Sequence, residues 1–138
     1  EKARELCPSD AYIIARYATL LIYLGEPEKA LEEITKAKRI DPFCPDILYE
    51  DEGICQYWLG GFHEAVASFG KLKVPTRNSL FYLAATYVKI DNDEKAKATL
   101  AEAVSMSNLT IESFIDTQNY KKKDQSSSLL GILKSIAA

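Results

Sequence analysis

Apolar positions recur along this chain with the spacing of a helix. Ile14, Tyr17, Ala18 and Leu21 fall on one side of a 3.6-residue turn, and Leu80, Leu83, Ala84 and Tyr87 repeat that pattern further on. Each run ends in a similar block: Tyr23 to Leu31, Trp58 to Val66, and Lys89 to Lys97. The blocks carry turn residues (Gly25, Gly60 and Asp91) followed by an anchoring alanine (Ala30, Ala65 and Ala96), and these alanines are 35 and 31 residues apart. A second apolar pattern follows each alanine: Ile34 and Ala37, then Phe69 and Leu72, then Leu100 and Ala103. The predicted unit is two helices joined by a tight turn, used three times, and no segment alternates in the way a strand requires. The fold class expected is therefore all-α, with seven or more helices.

Small residues sit where two such helices would cross. Ala18, Gly53 and Ala84 occupy one position late in the first helix, and Ala30, Ala65 and Ala96 one in the second. Close crossing needs small side chains so that ridges settle into grooves. Beyond the third unit come Thr110 to Ile115, a polar stretch from Asn119 to Asp124, and a run with Leu129, Leu130, Leu133 and Ile136 on one face. An array of stacked pairs must close its last apolar face, and this run is predicted to be the amphipathic cap. The lysines at 121–123 read as a solvated linker between two short helices.

Composition narrows the function classes. The 138 residues are 47% hydrophobic and 27% charged, which suits one ordinary globular domain held by packing alone. Seventeen basic against twenty acidic residues leave a formal charge of -3, which disfavours a primary role in neutralising nucleic-acid phosphates. The longest apolar stretch, Ala11 to Leu24, is cut by Arg16 and is shorter than the roughly 20 residues a membrane-spanning helix needs. Cys7, Cys44 and Cys55 are odd in number and lack metal-ligand spacing, so they are expected as reduced thiols in a cytoplasmic protein. His63 is the lone histidine, in the first turn of a helix with no nucleophile motif beside it; no catalytic residue, cofactor or metal is predicted. The chain starts at Glu1, without the zones of a signal peptide, and reads as a piece of a longer protein.

The repeated block with its small residues resembles the tetratricopeptide repeat, a helix-turn-helix unit of about 34 residues. Pro42, in Ile40-Asp41-Pro42, matches that family's terminal proline, and Ala3 with Pro8 marks the tail of an earlier unit. The resemblance implies a right-handed superhelix of antiparallel helix pairs: residues 1–8 ending a preceding repeat, repeats at 9–42, 43–76 and 77–110, and capping helices over 111–138. Departures are Asp93 in place of an aromatic, Asn108 in place of proline, and a shortened second repeat around Lys73 to Arg77. Glu52 and Gln56 fall at positions usually apolar; a buried Glu52 would need a partner, so the helix is expected to be rotated and to leave it in water.

In that family the first helix of each repeat lines the concave face. The register then assigns a partner-binding groove to Arg16, Thr19 and Tyr23, to Glu50, Ile54, Tyr57 and Trp58, and to Asn78, Phe81, Tyr82 and Lys89, with Ala85 beside them and Tyr12 expected in the core. An aromatic surface of this kind suits an extended or helical peptide. The lysine and asparagine clamp by which some family members grip a chaperone tail is missing: Ala15, Thr19, Glu50 and Ile54 stand there. The expected function is non-catalytic binding of a protein or peptide, including another domain of the same chain. The alternative comes from the tail, which loosely resembles the C-terminal repeat domains of bacterial class III adenylate cyclases and winged-helix activators. On that reading the chain regulates an effector domain that lies elsewhere in the polypeptide.

Overall fold

Turn chemistry explains most of the architecture. In the computed structural model, which describes residues 8–40, 46–118, 120–121 and 123–137, six helices form three hairpins: α1 (Pro8–Tyr23) with α2 (Pro27–Ile40), α3 (Asp46–Leu59) with α4 (Phe62–Phe69), and α5 (Arg77–Lys89) with α6 (Asp93–Ser107). Gly25, Gly60 and Asp91 all take positive φ, at 82°, 87° and 61°. The next amide in each case reaches back five residues: Glu26 to the Leu21 carbonyl, Gly61 to Gln56 and Asn92 to Tyr87, at 2.8–2.9 Å. That bond with a left-handed residue before it is the Schellman arrangement, which satisfies a helix's last carbonyls and reverses the chain. Two further helices, α7 (Ile111–Asp116) and α8 (Lys123–Ala137), complete the chain, and no strand occurs among the described residues.

Helix starts are equally local in origin. Proline opens both α1 and α2, where its missing N–H is no loss. Thr76 and Ser79 form a reciprocal capping box at α5, Asn92 caps α6 and Thr110 caps α7. Asn108 ends α6 by adopting the left-handed conformation itself. The short span around Lys73 to Arg77 corresponds to an α4 of only eight residues.

Consecutive helices from α1 to α6 pack on one another, and α1 touches α3 as α3 touches α5. The small residues stand at the crossings: Ala18, Ala30, Ala65 and Ala84 are fully buried, and Ala96 nearly so. At Gly53 the Phe69 ring occupies the space of a side chain, and a Cβ there would come within 2.6 Å of it. The end of the stack is closed by α8, which packs against α5, α6 and α7 with Leu129, Leu133 and Ile136 buried. It runs for fifteen residues, longer than the short helix expected after the lysines.

Glu52 departs from expectation. Its side chain keeps only 12% of its exposure, bonded to the Lys38 ammonium at 3.0 Å and to the Ser68 hydroxyl at 3.1 Å. Lys38 comes from α2 and Ser68 from α4, so the carboxylate is held between the helices on either side of α3 rather than in water. Gln56 Oε1 lies 2.7 Å from the same Ser68 hydroxyl, whose single proton it shares with Glu52. Cys55 is buried, and its thiol is pushed up, by burial first and then by Asp51 and Glu52, so it stays protonated. The Ala3 and Pro42 assignments, Cys7, Cys44 and the side chain of Tyr12 lie outside the described residues.

Candidate functional site

Of the residues assigned from the repeat register, Tyr23, Trp58, Tyr82 and Asn78 come together, and the chain's own Gln118 and Tyr120 lie against them. Between α7 and α8, Gln118, Tyr120 and Lys121 lie against residues of α1, α3 and α5. Tyr120 is 3% exposed, with its ring edge-on to Tyr23 at 4.9 Å and to Trp58 at 5.5 Å. The Trp58 indole donates to the Tyr120 hydroxyl at 2.9 Å, and that hydroxyl is also bonded to Tyr82. Tyr82 donates to the Gln118 carbonyl oxygen at 3.0 Å, and Tyr23 reaches the same oxygen at 3.3 Å. The Gln118 amide nitrogen faces Thr117 Oγ1 at 3.0 Å and Asn78 Oδ1 at 3.5 Å. One backbone bond, Lys121 N–H to the Tyr23 carbonyl at 2.8 Å, pins the far side.

These contacts have a single consistent proton order. The Gln118 carbonyl oxygen can only accept, so Tyr82 spends its one proton there and Tyr120 must donate to Tyr82, while the indole N–H donates to Tyr120. Every polar tip is then used once as a donor, which is what burial demands of them. Burial pushes the phenols of Tyr82, Tyr120 and Tyr23 above their ordinary range, so all three stay protonated and able to donate. Tyr57, from the same turn of α3, is buried with its ring edge-on to Trp58, Phe62 and Tyr82, and burial raises its pKa too.

Two carboxylates lie under this layer. Glu50 accepts from the Thr76 hydroxyl at 2.5 Å, joining the α5 cap to α3. Its pKa is raised by burial, against the hydrogen bonds from Thr76 and Asn78. Asp51 is 2% exposed, and its pKa is pushed up to about 7 by burial, with Glu50 adding to the shift and the Thr19 bond opposing it. Thr19 Oγ1 lies 2.5 Å from Asp51 Oδ2 and 3.0 Å from the Ala15 carbonyl. One hydroxyl proton cannot serve both acceptors; a protonated Asp51 donating to Thr19 frees that hydroxyl for Ala15.

Three spaces border the filled stretch. A cavity of about 70 Å³ lies among Thr19, Tyr23, Glu50, Asp51, Asn78 and Tyr120. Next to it an open mouth of about 400 Å³ is lined by Ala15, Arg16, Thr19 and Ile47. On the other side, a cleft of about 160 Å³ is lined by Tyr57, Trp58, Phe62 and Lys89, with Ser128 of α8.

Several register assignments change in detail. Phe81 is fully buried, stacked on Phe114 of α7 at 4.1 Å, so it belongs to the core and not to a free surface. Tyr82 and Ala85 are fully buried as well, and Ile54 nearly so. Arg16 and Lys89 are exposed at opposite ends, and Asn78 and Trp58 are half-buried between them. The linker holding Lys121 is more than a solvated connection, since Tyr120 beside it is buried. Asp51, Gln118 and Tyr120 were not among the residues assigned from sequence. His63 is exposed in the first turn of α4, as expected. Among the described residues no group of three or more His, Cys, Asp or Glu is arranged to hold a metal, and no helix is long and apolar enough to cross a membrane. No family model, curated protein or solved structure matches the chain.

Proposed function

We propose that this chain is a non-catalytic protein-interaction module of the tetratricopeptide type. On this reading it is a right-handed superhelix whose concave face, from α1, α3 and α5, binds an extended segment of a partner protein or of another domain of its own polypeptide. The observation that carries the reading is the convergence of Tyr23, Trp58 and Tyr82, one from each of those helices, on a single non-helical stretch of chain. Aromatic rings with polar tips bind extended chain through apolar contact and directed hydrogen bonds together, and the types found here are those enriched at binding hot spots. The three turns of matching geometry and the small residues at each crossing support the repeat assignment. The mouth lined by Ala15, Arg16, Thr19 and Ile47 offers an external segment an entry beside the filled stretch.

Peptides selected from a displayed library on the intact protein test this. Binders of the concave face should lose about tenfold or more in affinity on Arg16→Glu, at an exposed position, or on Ile47→Arg, at the rim of the mouth, with thermal melts of both variants checking that the fold is kept. A set of binders indifferent to both substitutions would overturn the assignment of the concave face.

A further inference from the structure

The filled stretch of the groove has the character of a bound ligand. Among the described residues, every side-chain hydrogen bond that Tyr23, Trp58 and Tyr82 make ends on Gln118 or Tyr120. The groove reads the carboxamide at both ends, its oxygen through two phenols and its nitrogen through Asn78 Oδ1 at 3.5 Å, while Thr117 beside it in the segment takes the other N–H. A carboxylate in the same place would set an oxygen against Asn78 Oδ1. The phenol is read by a donor, the Trp58 indole, and an acceptor, the Tyr82 oxygen, with ring edges from Tyr23 and Trp58 against its faces. The fit is incomplete where the cavity of about 70 Å³ meets Tyr120, a kind of void that close-packed interiors hold few of.

We infer that the groove carries a carboxamide subsite and a phenol subsite which together recognise a non-helical segment bearing glutamine two residues before tyrosine, and that Gln118 and Tyr120 fill them as a tethered ligand which an external segment of the same chemistry must displace. This deepens the reading of the concave face as a peptide groove and rests on it. The tether sets the strength of the competition. A short linker gives an effective concentration on the order of 1 mM, and against a peptide of Kd near 0.1 mM this reduces the apparent affinity of the intact protein by about tenfold.

The double variant Gln118→Ala with Tyr120→Ala, made in the full chain, empties both subsites. The probe is a synthetic peptide with the sequence of residues 116–122, blocked at both ends. Trp58 is the only tryptophan, so its emission reports the phenol subsite directly. The variant should bind the peptide with a shift in Trp58 emission and a rise in melting temperature, and wild type should bind it about tenfold more weakly. Peptides with glutamate for the glutamine, or alanine for the tyrosine, should bind the variant at least about tenfold more weakly than the parent peptide. A folded variant that ignores the peptide, or a wild type that binds it equally well, overturns the inference. A variant that is unfolded and stays unfolded in 1 mM peptide overturns it too, because Gln118 and Tyr120 would then be core; recovery of helix on adding peptide supports it. Library peptides that bind wild type in a groove-dependent way while the 116–122 peptide fails would leave the broader reading standing and this one refuted. The reverse pattern would confine the groove to its own tail.

Discussion

Replacing Asp51 by asparagine should make the protein more stable at neutral pH, with the gain vanishing as the solution is acidified. In the unfolded chain this carboxyl ionises near its ordinary 3.8, whereas in the fold burial holds it at about 7. Below the lower value both states are protonated and folding carries no penalty. Between the two, only the unfolded chain releases its proton, so wild-type stability falls as pH rises; above the upper value the penalty is constant. A gap of about three units at 1.36 kcal/mol each corresponds to ~4 kcal/mol. Asparagine has no proton to lose, and its amide N–H can donate to Thr19 as the protonated acid does. We therefore expect Asp51→Asn to gain about 2–4 kcal/mol at pH 8, with the advantage gone by pH 4. Urea denaturation followed by circular dichroism at pH 4, 5, 6, 7 and 8 gives both curves. Glu50, raised by the same burial, leaves a residual slope of the same sign in each. Parallel curves for the two proteins, or wild-type stability that rises between pH 4 and 7, would refute the assignment of a protonated Asp51.

Gly53→Ala should destabilise by about 1–3 kcal/mol, because the added methyl meets the Phe69 ring, whereas Gly131→Ala in α8, where a Cβ meets nothing, should stabilise by up to about 1 kcal/mol; thermal melts of the pair separate crowding from helix propensity. Leu129→Ala, at a fully buried position of the terminal helix, should cost about 2–5 kcal/mol in urea, and a loss below 1 kcal/mol would show that α8 is loosely docked. Deleting 124–138 uncovers the apolar face of α5 and α6 and should lower the melting temperature and promote self-association, which light scattering on a size-exclusion column reads; an unchanged monomer would contradict the cap. Asp91→Gly removes a side chain from a left-handed position and should raise stability by about 0.5–1 kcal/mol in the same denaturation assay.

Local rules made the helix pairs legible from sequence. Helical period, a glycine or aspartate at each turn and small residues at each crossing all act within one hairpin, and the structure has all of them. The amphipathic stripe of α8 was equally readable, because Leu129, Leu133 and Ile136 advertise a buried face whatever they pack on. Glu50, Asp51 and Glu52 show the limit. Successive helix residues point about 100° apart, so three acids in a row face three directions, and each found a different solution: Thr76 for Glu50, Thr19 for Asp51, Lys38 with Ser68 for Glu52. Which acid is buried depends on a rotation of α3 that its mixed polarity does not fix. Gln118 and Tyr120 were harder still. They lie in a segment with no period, and their burial is set by partners as many as 95 residues away.

That separation changes how the molecule should come apart. In an array whose hairpins touch only their neighbours, unfolding can begin at either end and stop between units, with stability a sum of local terms. Here Tyr23, near the start of the described chain, shares a hydrogen-bond acceptor with Tyr82 on a residue near its end. The connection works as a clasp: the first hairpin cannot fray without breaking contacts to the tail, and the tail cannot lift without exposing the polar tips that α1, α3 and α5 direct at it. While the clasp is closed, the three hairpins should therefore lose order together. Its formation must await a long loop closure, which makes folding slower than the short-range contacts of the hairpins alone would allow.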